Sequence, residues 1–161
     1  MAAPDPIIET ILGVFWLTLV ILIHGVGIQA INRQFARMWT HVTVHTTHWK
    51  INLILGTVIA SLTILHLAET VFWGLPIYAL NLVPTWLDSY IFVLENYTTL
   101  GAGNVRLPHD WRLMGPIIAI SGLFTFGWTT GVLVSTMSEL TQLNKQRSKQ
   151  GIDDDDGRPS S

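Results

Sequence analysis

The sequence predicts an all-α membrane protein with three spanning helices and one re-entrant helix, and three observations carry that prediction. First, 49% of the 161 residues are hydrophobic and only 12% are charged, about half the charged share of an average soluble domain. A soluble chain of this length has too little interior to hide so much apolar surface. Second, three apolar runs at residues 7–30, 51–75 and 113–137 each reach the length of about 20 residues that a bilayer requires. Third, the connection between the second and third runs is too long for a simple hairpin and contains a half-length helix followed by glycines.

The first run is charged only at Glu9. It follows MAAPDP, which has no Lys or Arg, and it is too long for a cleaved signal. Residues 1–31 therefore read as a retained N-terminal span. Residues 32–50 are rich in Trp, Arg and His, and are expected to form an amphipathic connection on the cytoplasmic surface. The second span, 51–75, is charged only at Glu69. An acid at membrane depth costs a few kcal/mol unless paired or wet, and Arg106 is the expected partner. The third span has no charge. Residues 141–161 carry the Asp153–Asp156 run beside Gly, Pro and Ser and are expected to be a disordered cytoplasmic tail. Arg33, Arg37 and Lys50 in the first connection agree with Lys145, Arg147 and Lys149 after the third span. Under the positive-inside rule they place the N-terminus outside and the C-terminus inside, with Arg106 and Arg112 opposing.

In the second connection, Pro84 and Thr85 suit a helix start, and a helix over 85–98 would be ~20 Å long. That is half a bilayer, so it would dip in and stop. Gly101 and Gly103 break it. Non-helical backbone at such depth survives only buried in protein or lining water. Carbonyl oxygens of an extended loop Thr98-Thr99-Leu100-Gly101-Ala102-Gly103-Asn104 can replace the hydration shell of an ion. The Thr99 hydroxyl would add a further oxygen ring, and the negative C-terminal end of the helix favours a cation.

Residues 95–104 resemble the pore signature of potassium channels, whose usual pattern is Thr-Val-Gly-Tyr-Gly-Asp, and Ser121-Gly122-Leu123-Phe124-Thr125-Phe126-Gly127 resembles their inner helix. The resemblance covers 51–140 and is similar to small bacterial ion channels with one extra N-terminal span. It implies an outer helix 51–75, a pore helix 85–98, a filter 99–104 and an inner helix 113–137. It implies a homotetramer in a bacterial inner (plasma) membrane, in contact with lipid. Monovalent cations, potassium and sodium, would bind at Thr99, Leu100, Gly101, Ala102 and Gly103. Thr98, Glu95 and Asn104 would support the filter, Glu95 as a brace or as an ion ligand. Gly122 would be a gating hinge or a helix-packing glycine. The sequence departs from the pattern at two positions. Ala102 replaces an aromatic ring that holds the filter diameter, and Asn104 replaces an acid at the outer mouth. Both point to relaxed sodium/potassium selectivity, with a potassium-selective channel as the alternative.

Other readings stay open. His41, His45 and His48 would share one face of a helix and could ligate a metal, respond to pH or only pack at the interface. His24 and His66 lie in different spans and could hold a haem between helices. A membrane metal or haem protein and a non-conducting subunit with the pore fold are thus the competing functions. No enzyme motif and no phosphate loop is visible. A net charge of −2 gives no reason to expect nucleic acid, and no cofactor is expected.

Overall fold

The computed structural model describes residues 6–101 and 103–156, with side chains to residue 150. Four α-helices follow one another: α1 (Pro6–Trp39), α2 (His48–Ala79), α3 (Trp86–Tyr97) and α4 (Met114–Asp156), with a 3₁₀ turn at His109–Trp111 before α4. Among the described residues there is no strand. α1, α2 and α4 are long and apolar enough to cross a membrane. α3, with 12 residues, is too short to do so.

α2 and α4 touch each other little. α1 joins them along one side, and α3 joins them at one end. The core accordingly lies in two clusters. One, around α3, gathers Val20, Trp73, Phe92, Val93, Tyr97 and Ile118. The other, at the opposite end, gathers Ile28, Ile31, Val58, Leu62 and Val132.

Local chemistry explains the helix bounds. Thr85 caps α3: its hydroxyl accepts from the Asp88 N–H at 3.1 Å and donates to Asp88 Oδ2 at 2.7 Å. Asp88 in the first turn also suits the positive end of the helix. Pro84 and Thr85 thus mark the start as expected. α2 continues through Pro76, whose missing N–H leaves the carbonyl of Phe72 without its helical donor. Trp16 of α1 supplies one, its indole N–H lying 3.3 Å from that oxygen, while its ring stacks on Phe72 at 4.8 Å. α2 ends in a tight turn at Asn81, which has φ +52°. At the start of α4, the Glu9 carboxylate accepts from the N–H groups of Leu113 at 2.6 Å and Met114 at 3.1 Å.

Two expectations need correction. The amphipathic connection over 32–50 is not a separate element. α1 runs to Trp39, residues 40–47 form turns, and α2 begins at His48. The threonines explain the break: Thr43 N–H donates to the Thr46 hydroxyl at 2.8 Å and Thr40 Oγ1 to the Arg37 carbonyl at 2.8 Å, local bonds that compete with a helix. Second, the tail expected to be disordered continues α4 as far as Asp156; residues 157–161 lie outside the described residues. Arg147 on this extension reaches back to the turn, bonding the Thr46 carbonyl and lying 3.3 Å from His48 Nδ1.

Candidate functional site: the turn after α3 and the polar cluster beneath it

The backbone after α3 folds back on the helix end. The N–H groups of Thr99, Leu100 and Gly101 donate to the carbonyls of Asn96 (2.9 Å), Glu95 (2.9 Å) and Glu95 (3.2 Å). The extended loop expected here is therefore a turn over residues 98–101, because the last carbonyls of α3 need donors. Thr99 has φ +62° and Gly101 φ +91°. Glycine adopts this region freely. For a β-branched threonine it is an outlier that costs roughly 1–3 kcal/mol, so the surrounding bonds hold it there. Leu100 is 81% exposed, which leaves this turn open on the side away from the chain's own core. Ala102 lies outside the described residues.

Glu95 grips the next stretch. Its Oε2 accepts the N–H of Gly103 at 2.9 Å. A Cβ on Gly103 would sit 2.3 Å from Glu95 Oε1, so the carboxylate fills the space that a side chain would need. Asn104 is exposed, as is Thr98, whose hydroxyl donates to the Leu94 carbonyl at 2.8 Å.

Beneath the turn lies a buried polar cluster drawn from all four helices. His24 Nδ1 is 2.7 Å from Glu69 Oε1. The Tyr97 hydroxyl donates to Glu69 Oε2 at 2.5 Å and lies 2.6 Å from Thr125 Oγ1. His66 Nδ1 is 3.0 Å from the Tyr97 hydroxyl, and its Nε2 is 3.0 Å from Thr129 Oγ1. His24 and Glu69 are 0% and 1% exposed. Charges and ring nitrogens this deep persist only when paired and bonded. Tyr97, the last residue of α3, ties the cluster to the turn above it.

The expected Glu69–Arg106 pair does not form. Glu69 faces the interior and is satisfied by His24 and Tyr97, whereas Arg106 is exposed and makes no ion pair among the described residues. At Gly122 a Cβ would come within 1.9 Å of the Tyr97 carbonyl oxygen, so α4 passes directly against the end of α3, a close contact that supports the packing reading. His41 and His45 lie in the turn and only His48 is helical, so the shared helical face expected of the three is absent. Among the described residues the group that could hold a metal is instead His24, His66 and Glu69, whose ligand atoms lie within 4.8 Å of one another. Two imidazoles and a carboxylate suit zinc or another transition ion, though an ion would have to displace the proton shared by His24 and Glu69. A haem between His24 and His66 does not fit, because the two rings lie against each other with centroids 5.4 Å apart.

The sequence pairs His24 with His66 and sets Glu69 apart with Arg106, and nothing in it singles out Tyr97 or Thr129. The spacing of His66 and Glu69, three apart on an apolar helix, already puts both on one face; it was the available signal.

A family model described as ion channel matches residues 53–139, from the first turns of α2 to the inner part of α4, so that α3 and the turn after it fall inside the match and α1 falls outside. No curated protein and no solved structure matches the chain.

Proposed function

Because this chain belongs to the ion-channel family, with a pore of the potassium-channel kind, we propose that four copies surround a cation path lined by residues 99–103. α3 is the pore helix of this assembly, α2 the outer helix and α4 the inner one. The observation that carries the reading is the turn itself. Alternate residues, Thr99 and Gly101, take left-handed backbone angles. Glu95 holds the far end, and the near end is open in a single chain. Main-chain oxygens presented this way can take the place of water around an ion, and the C-terminal end of α3 adds a negative partial charge. The N-terminus is outside and the C-terminus cytoplasmic, following the basic residues around 33–50 and 145–149.

Sodium and potassium pass alike, since Ala102 offers no ring to hold the diameter and Asn104 no charge at the mouth. The test is a planar-bilayer recording with sodium on one side and potassium on the other. A reversal potential near zero with cation current supports relaxed selectivity, and a strongly potassium-directed potential supports the stricter alternative. Ala102→Tyr with Asn104→Asp should shift wild type towards potassium. Absence of any cation flux from liposomes, with the protein monomeric in detergent, would overturn the pore in favour of a non-conducting subunit.

One further reading has a specific observation behind it. The His24, His66 and Glu69 cluster could hold a transition ion. Metal analysis of purified protein separates it: about one equivalent per chain supports it, and a metal-free, colourless preparation removes it.

A further inference from the structure

We propose that His24, on the helix outside the family match, is a positioning residue for the ion path: through Glu69 and Tyr97 it fixes the turn over residues 98–101. This rests on the channel reading for its consequence but on the geometry of one chain for its mechanism.

Each link is short and buried. His24 Nδ1 meets one oxygen of Glu69 at 2.7 Å, and the other oxygen takes the Tyr97 hydroxyl at 2.5 Å. Tyr97 is 1% exposed. Its carbonyl is pinned against Gly122 of α4, and the next two residues begin the turn. Among the described residues Glu69 has no other donor to its Oε1. Truncating His24 would leave that oxygen buried and unsatisfied, which a carboxylate does not tolerate without moving. Movement of Glu69 is movement of the group that orients Tyr97. The backbone two residues further on, at Thr99, is held in an unfavourable conformation and depends on its surroundings to stay there.

α1 is well placed for this work. It docks on the rest of the chain at a second polar point, Glu9 on the start of α4. Trp16 on the Phe72 carbonyl makes a third. A helix fixed at three such points cannot slide without breaking a buried bond, so it holds His24 at constant depth. The extra span is thereby part of the pore's support and not a mere anchor. A plain packing role for His24 would predict instead that any buried contact of α1 is equivalent to it.

The experiment uses the full chain in detergent and in bilayers, with His24→Ala, His24→Asn and Ile28→Ala. Asparagine places an N–H near the position of Nδ1. Ile28 is equally buried but belongs to the other core cluster, so it controls for lost packing. In detergent, amide exchange across residues 98–103 should speed up about tenfold in His24→Ala, the mark of a local opening, while Ile28→Ala leaves these amides slow. In bilayers the sodium/potassium permeability ratio should move by about threefold or more in His24→Ala, the size expected within one bonded network. His24→Asn should stay close to wild type in both. Unchanged exchange and an unchanged ratio in His24→Ala would overturn the proposal. If wild type passes no ions, the channel reading fails alone and the exchange result still decides the positioning. Should His24→Ala not fold, Tyr97→Phe cuts the same chain of bonds at its next link without emptying the helix interface. Slow exchange at residues 98–103 in that variant would be equally fatal.

Discussion

Thr99 and Gly103 bear opposite constraints within a few residues. Thr99 is a side chain in a place that favours glycine, and Gly103 is a glycine in a place with no room for a side chain. Thr99→Gly should therefore raise thermal stability by up to about 1 kcal/mol, through relief of the left-handed strain, and yet lower cation flux by removing a hydroxyl oxygen from the path. A melting curve and a liposome flux assay on the same preparation check the two signs. Gly103→Ala should do the reverse of harmless. Its methyl group displaces the Glu95 carboxylate and breaks a charge-assisted bond of about 1.5–3 kcal/mol, so flux should fall at least about tenfold with the assembly still present by size-exclusion. Glu95→Gln keeps an acceptor for the Gly103 N–H and should lose less than Glu95→Ala. The glycines and threonines of this segment were legible in the sequence. The backbone angle at Thr99 was not, because it arises from bonds to the end of α3 that no local pattern specifies.

The helices are tied to each other by side chains that complete another helix's backbone. Glu9 of α1 serves the start of α4, and Trp16 of α1 serves the carbonyl orphaned by Pro76 in α2. Glu9→Ala should cost ~1 kcal/mol, the usual worth of a helix N-cap, and should loosen the start of α4 first; amide exchange of residues 113–116 reports it. Gly122→Ala is harsher. Its methyl meets backbone, not a flexible side chain, and overpacking of this kind costs about 1–3 kcal/mol. If Gly122 were only a hinge, alanine would slow gating without lowering stability, so a melting temperature equal to wild type would contradict the packing role. The spans and the half-helix were readable because apolar run length and the Pro84-Thr85 start are local signals. The continuation of α1 to Trp39 was hidden by a histidine and tryptophan composition that suits a surface helix as well as the end of a span.

Across the whole molecule, the exposed surface still contains many large apolar side chains. Leu123, Phe124, Val134 and Met137 on α4 are each more than half exposed, as are Ile7, Phe15, Leu22 and Val26 on α1. Lipid can cover the α1 face. On the channel reading, other copies and the water path meet the α4 face, so native mass in detergent should give about four times the chain's 18.0 kDa, and Leu123→Glu should disperse the assembly. Length, hydropathy and the glycine-broken segment alone determined the class of protein, its three spans and the place of the turn, because those follow from what a bilayer and a backbone allow over a few consecutive residues. Only the tertiary structure decided that Glu69 answers to His24 and Tyr97 rather than to Arg106, and that the first helix reaches under the turn. Pairing inside a membrane is chosen by which helix faces meet, and residues 24, 69 and 97 have no relation along the chain that would announce it.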